Sequence, residues 1–407
     1  MKYLLRNNFT VSEGFILFFF LGIFISEFFL GSGLELVSTK IKMLSYLMAI
    51  SGIILYFLSG GRVDMMYTIL ILPTIFFLML GFYNTHNINA AIEELSRYFF
   101  PFIYYLASLV VMRKSIFFRD VFLKVALLSI FYQCYFYLSV FLNLPSFHEP
   151  LYDNGLILRG QGLFGGVASF SFMNLVAFSL ACHGRKDCCF FYRIRYLFAI
   201  FSVLAISFKL VPFVFVAMFV FSEHKKAYLL FFGAVSSIVF LYFFNEINLV
   251  YELLVKKINF YILVGNSARF ESYRVMFELF YENLYIGQGL GTFGGVASTK
   301  YYSPLYLETN FNWYGLDEFG LKTTDTFYPH VFVELGFIGA IFYFLSLFYF
   351  IAVKVRRNAF KVYFVVVSAI LFDSFFSFGI QTSIYMICVF FMLPLLGFNK
   401  IKRAVND

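Results

Sequence analysis

"GFILFFFLGIFISEFFLGSG", residues 14–33, holds one charge, Glu27, in an otherwise apolar run. A helix needs about 20 such residues to cross a bilayer. The run follows Met1–Asn8 with Lys2 and Arg6 and is not trailed by a small-residue cleavage site. It therefore reads as a first span and not as a cleaved signal. Comparable runs recur at 41–60, 64–84, 97–112, 121–143, 163–182, 196–208, 210–222, 227–245, 328–353, 359–379 and 381–398. The fold class expected is all-α, a polytopic membrane protein with about twelve transmembrane helices.

Composition agrees. The 407 residues are 61% hydrophobic and 13% charged, and the mean hydropathy is +0.82. Soluble domains are about 45–50% apolar and about 25% charged. The net charge of +8 comes from short basic clusters between apolar runs, the pattern of cytoplasmic loops. No continuous basic face is present, so no nucleic-acid partner is expected. The five cysteines lie in apolar runs or beside basic clusters, which implies no disulfide framework.

Basic clusters set the topology. They occur at Lys2/Arg6, Arg62, Arg113/Lys114/Arg119, Arg185/Lys186/Arg193/Arg195, Lys225/Lys226, Lys354/Arg356/Arg357 and Lys400/Lys402/Arg403. With each cluster inside, the runs alternate and both termini are cytoplasmic. Residues 196–222 must then cross twice, as two short or broken spans with Lys209 and Pro212 at the turn; one long helix is the alternative. Outside lie 84–98, 144–162 and a large loop, 246–327. The chain divides into spans one to nine (1–245), that loop, and spans ten to twelve (328–407). Within the loop, "SARFESYRVMFELFYENL" (267–284) has helical apolar spacing and predicts an amphipathic helix at the surface.

A phrase is repeated. "GQGLFGGVAS" (160–169) and "GQGLGTFGGVAS" (287–298) share both ends, and the second carries two extra residues. Both fall on the outer face. The similarity stops at the phrase edges, so it is a repeated turn and not a repeated domain.

No P-loop, Rossmann fingerprint, HExxH or GxSxG is present, and His, Asp and Glu are not grouped at metal-ligand spacing. Neither a cofactor nor a metal is expected. Glu27, Lys124 and Asp373, charged residues within apolar runs, read as pairing inside the bundle or lying near helix ends. On the outer face, Arg159, Lys209, Arg269 and Arg274 could hold an anion. Arginine offers a bidentate fork, and the glycine turns could add N–H donors at Gly287, Gly289 and Gly291. Snorkelling of these cations to lipid headgroups is the bland alternative. In "KTTDTFYPHVFVELGFIGA" (322–340), Asp325 or His330 could take a proton from a hydroxyl, with Glu334 one helical turn after His330. Helix capping and packing are the competing readings.

Three segments resemble the superfamily of O-antigen ligases and O-antigen or capsule (Wzy-type) polymerases of bacterial inner membranes. They are "ARFESYRVMFELFYENLYIGQGLGTFG", "TTDTFYPHVFVELGFIG" and "RGQGLFGG". The resemblance implies transfer of a glycan from undecaprenyl pyrophosphate to an acceptor hydroxyl, without metal or nucleotide sugar. Arg269 matches the family's arginine before the glycine turn, and Lys209 stands near where many members have arginine. Ligases usually carry His-Asn where this chain has Asp325-Thr326, which argues for a polymerase; His330 could stand in for the ligase histidine. The implied partners are an undecaprenyl-pyrophosphate-linked oligosaccharide, membrane lipids and a chain-length regulator. An O-antigen ligase acting on lipid A-core is the runner-up. A lipid-linked oligosaccharide flippase ranks behind, since neither half-to-half symmetry nor a polar mid-membrane centre is visible.

Overall fold

The computed structural model describes residues 9–150, 152–153, 157–184, 189–207, 209–222, 268–281, 285–311, 324, 326–354 and 359–396. Within them the chain is helical apart from one antiparallel pair of two-residue strands, Tyr152–Asp153 with Ile157–Leu158. The main helices are α1 (Val11–Gly31), α2 (Glu35–Leu58), α3 (Met65–Tyr83), α4 (Ile88–Val110), α5 (Ser115–Leu142) and α6 (Val167–His183). They continue with α7 (Arg195–Leu204), α8 (Val211–Phe221), α9 (Ala268–Tyr281), α10 (Phe327–Lys354), α11 (Phe360–Asp373) and α12 (Ser383–Leu396). Among the described residues, five stretches are long and apolar enough to cross a membrane: Val11–Gly31, Glu35–Leu58, Met65–Tyr83, Met112–Leu142 and Phe327–Tyr349. The protein is thus built as a multi-pass membrane protein. The expected span at 227–245 and the first part of the large outer loop lie outside the described residues.

Local sequence sets the helix ends. Thr10 and Glu13 form a reciprocal capping box at α1, so two otherwise orphaned N–H groups are satisfied. Asp64 caps α3 through the Met66 N–H, and Asn87 caps α4 through the N–H groups of Asn89 and Ala90. The cap at Asn87 starts α4 inside the stretch read as outer loop, so residues 88–98 extend the apolar run as a continuous helix.

Helices α6 and α12 run through the centre. Every residue from 170 to 181 and from 383 to 396 is buried, and the rings of Phe172 and Tyr385 stack at 4.2 Å. Part of α12, Ile387–Met392, is wound as a π-helix, a form seen mostly as single-turn bulges within α-helices. The peripheral helices instead present large apolar side chains outward, such as Phe18, Leu36, Leu58 and Phe141. A helix apolar on all sides needs a core or a bilayer around it. Polar contacts fix the pairings: Thr74 of α3 donates to the Phe342 carbonyl of α10 at 3.0 Å. Ser171 of α6 and Ser202 of α7 exchange hydroxyl-to-carbonyl bonds at 2.9 and 2.7 Å. Charges within the apolar runs find partners, Glu27 with Lys42 at 3.2 Å and Lys124 with Asp120 at 2.6 Å.

The stretch 196–222 forms two separate helices, α7 and α8. The chain turns between them with Ile206 at φ +56°, a conformation disfavoured for a β-branched residue.

Candidate functional site

The turn that follows α11, Asp373–Gly379, receives Lys209 directly and lies near the segments that carry Arg159 and Arg269. Lys209, in the α7–α8 break, donates to the Phe376 carbonyl at 2.8 Å and stands 3.6 Å from Asp373 Oδ1. Asp373 is fully buried and accepts from Ser377 Oγ at 2.5 Å and from the Tyr385 hydroxyl. Arg159 Nη2 donates to the Ile206 carbonyl in the same break, at 3.1 Å. Its buried Nε–H finds no acceptor among the described residues. Tyr273 of α9 donates to the Phe375 carbonyl at 3.0 Å. Arg269 lies one helical turn before Tyr273, at i−4, hence on the same face of α9.

The start of α10 reaches this turn as well. Phe327 N–H donates to the Ser374 carbonyl at 3.2 Å, and the Tyr328 hydroxyl to the Leu371 carbonyl at 2.9 Å. Asp325 itself lies outside the described residues; its neighbour Thr326 is buried and pairs with Thr324 at 3.2 Å. Arg274 points its charge elsewhere. It pairs with Glu271 at 2.6 Å and Glu278 at 2.7 Å and donates to the carbonyls of Thr309 and Asn310.

The repeated phrase folds the same way twice. Gly162 and Gly289, third in each phrase, are left-handed at φ +62° and +109°. Gly165 and Gly294 correspond again, at φ +67° and +78°. Each phrase then ends on a glycine N-cap, Gly166 or Gly295, and enters a helix at Val167 or Val296. The shared letters therefore encode a turn that leads into a helix. The two extra residues add a closure: Thr292 Oγ1 donates to the Gly289 carbonyl at 2.7 Å, and Gly291 lies against the backbone of Ala90.

The amides of these turns are directed inward. Gln161 and Gly162 both donate to Gln133 Oε1, at 2.9 and 2.6 Å. In the second phrase Gln288 donates to the Val333 carbonyl, Gly289 to the Glu334 carbonyl and Leu290 to the Gly81 carbonyl. Those two α10 carbonyls are accessible because α10 breaks at Gly336, with φ +73° and ψ +174°. In an unbroken helix they would accept from amides four residues on. Gly287 sits so close to this break that a Cβ on it would collide with the Glu334 carbonyl. Gly287, Gly289 and Gly291 let the loop lie backbone to backbone on α10, the end of α3 and α4, and of their three amides the Gly289 N–H is taken by the Glu334 carbonyl. The amides at 288–290 are already paired within the protein and are not free for an anion.

Under this loop lies a cluster that a linear reading misses. His330, Glu334, Glu94 and Tyr98 are all fully buried. His330 Nδ1 is 2.5 Å from the Phe293 carbonyl; a carbonyl only accepts, so Nδ1 carries the proton. His330 Nε2 faces Glu94 Oε1 at 3.1 Å and Glu334 Oε2 at 3.7 Å. Tyr98 donates to Glu334 Oε2 at 3.1 Å, and Phe293 N–H to Glu334 Oε1 at 3.3 Å. Arg97 reaches Glu94 Oε2 at 3.3 Å. The i, i+4 spacing of His330 and Glu334 is visible in the sequence. Glu94 comes from a distant helix, and no local pattern announces it.

Tyr306 closes the loop from above. Its hydroxyl accepts from Gly294 N–H at 2.9 Å and pairs with Ser298 Oγ at 2.7 Å. Burial pushes its phenol pKa up, so it stays protonated. Tyr306→Phe would leave the Gly294 N–H buried and unpaired. We expect a loss of about 1–3 kcal/mol, read as a lower unfolding midpoint of the purified protein. Beside the loop a cleft of about 250 Å³ opens between Thr85–Asn87, Gly291–Thr292 and Tyr301–Pro304. Among known proteins, no family model, curated protein or solved structure matches this chain.

Proposed function

We propose that this chain is a polysaccharide polymerase of the bacterial inner membrane, with about twelve spans and its site on the outer face. It would pass a growing glycan from undecaprenyl pyrophosphate to the terminal sugar of a lipid-linked repeat unit. One observation carries the reading. Lys209 bonds directly to the Asp373–Gly379 turn, Arg159 to the α7–α8 break that holds Lys209, and the helix bearing Arg269 to Phe375. The start of α10 bonds to the same region, at Ser374 and Leu371.

The chemistry such a site performs is simple. An acceptor hydroxyl attacks the anomeric carbon, the bond to the phosphate oxygen breaks, and the lipid pyrophosphate leaves with the electron pair. Fixed cations aimed at the leaving group stabilise the charge that develops there. The hydroxyl proton passes to a base. His330 has both ring nitrogens turned into the buried cluster, which favours Asp325 for that role. The test is the lipid-linked glycan of a deletion strain. Single repeat units left on the lipid carrier are the expected result. Long lipid-linked polymer would instead indicate a ligase, and an unchanged glycan profile would exclude both.

A further inference from the structure

We propose that Glu94, His330 and Glu334 form a binding site for a divalent transition-metal ion of the Zn²⁺ type, which fastens the glycine loop to α4 and α10. The ligand atoms of the three side chains lie within 4.8 Å of one another. Ligands at about 2.0–2.2 Å from one ion, at angles of roughly 90–110°, stand about 2.9–3.6 Å apart. His330 Nε2 lies 3.1 Å from Glu94 Oε1, within that spacing, and 3.7 Å from Glu334 Oε2, just beyond it, so a bound ion would draw the Glu334 carboxylate slightly inward.

Two further observations point to a ligand. Nε2 and Glu94 Oε1 are buried and face each other at 3.1 Å, an ion pair when the imidazole is protonated, but they lie off the line of a well-aligned hydrogen bond. A proton shared between them would require that alignment; an ion set among three atoms does not. The Nδ1–H is also held by the Phe293 carbonyl at 2.5 Å. Metal-bound histidines are oriented this way, through the far nitrogen to a carbonyl or carboxylate, which leaves the other lone pair for the metal. Around the carboxylates stand Tyr98 on Glu334 Oε2, Phe293 N–H on Glu334 Oε1, and Arg97 with the Ala297 N–H on Glu94. The ring of Tyr98 stacks on the imidazole at 5.5 Å.

One imidazole and two carboxylates suit zinc better than the harder magnesium or calcium, which take oxygen ligands. All three side chains are inaccessible to solvent; three protein ligands leave the fourth position of a tetrahedral zinc to a second carboxylate oxygen or a water, and binding would add to the stability of the fold. An ion here would tie α4 to α10. Through Phe293, whose N–H and C=O engage Glu334 and His330, it would also hold the loop that carries Gly287–Gly295. The proposal does not depend on the transferase reading, and glycan products play no part in its test.

The test uses the full chain purified in detergent, incubated with ZnCl₂ and desalted into metal-free buffer. Mass spectrometry of the elements should find one zinc per chain, retained by a control variant outside the cluster, Asp64→Asn. Glu94→Gln should lower zinc occupancy by about tenfold or more. Zinc-free wild type overturns the proposal, as does equal zinc in Glu94→Gln. If Glu94→Gln fails to give monodisperse protein, Co²⁺ loaded into wild type decides. A visible absorption band of imidazole- and carboxylate-bound cobalt is expected, and colourless protein overturns the assignment.

Discussion

Gly336→Ala is expected to abolish a stably folded protein. At φ +73° and ψ +174° the residue occupies a region open essentially to glycine alone. An added Cβ would sit 2.5 Å from both the Gly287 nitrogen and the Tyr285 oxygen. These are backbone atoms, and no rotamer change relieves the clash. Moving the loop away would uncouple the Gln288 and Gly289 amides from α10 and loosen the lid over four fully buried polar side chains. A cost of about 3 kcal/mol or more follows from strain and lost pairing together. The measurement is the thermal unfolding midpoint and monodispersity of the detergent-purified variant. Gly14→Ala is the control, since a Cβ there meets nothing within 4 Å and alanine favours a helix. Equal midpoints for Gly336→Ala and wild type would sink the account of the α10 break.

Lys209→Ala and Arg269→Ala are each expected to lower polymer formation by about 100-fold or more, the scale for removing one group that stabilises developing charge. Lys209 has a structural part too, because it stands beside the buried Asp373 carboxylate. Lys209→Arg separates the two: it keeps the charge at the break and should retain most of the activity. Asp373→Asn, which keeps the shape of the turn, should cost far less than Lys209→Ala if the cation acts on substrate. The assay is glycan length on gels from a complemented deletion strain with matched expression. Full-length polymer from Arg269→Ala would remove the anion-stabilising role from α9.

The helical, multi-pass character was legible because apolar runs about 20 residues long dictate spanning helices. Among the described residues five helices are long and apolar enough to span, and four other apolar helices are shorter. A helix over 267–284 was legible from its apolar spacing, and 268–281 is helical. Arg159 and Lys209 could be singled out as isolated cations, yet nothing local told that both fasten to one break. That depends on Ile206 adopting a left-handed turn and on a carbonyl at Phe376, contacts between segments far apart in the chain. The glycine phrases were visible as letters. Their likeness in conformation, glycine for glycine, emerges only from the dihedral angles. Glu94 was passed over because a glutamate beside Glu93 and Arg97 on a helix start looks like a solvated charge cluster. It is buried only because the second phrase folds over it.

The break in α10 also divides the helix into a part long enough to cross a bilayer and a part that need not. Below Gly336, residues 337–354 rise about 27 Å at ~1.5 Å per residue, close to the ~30 Å of a hydrocarbon core. With 337–354 as the crossing part, the first nine residues of α10 would stand above the hydrocarbon, whereas Phe327–Tyr349 is the stretch that length and composition alone select as a span. Glu94, His330 and Glu334 would accordingly sit at headgroup level, where a bilayer tolerates charge far better than at its midplane. The short side chains and glycines of the second phrase would then form a floor at the water boundary, level with the lipid headgroups.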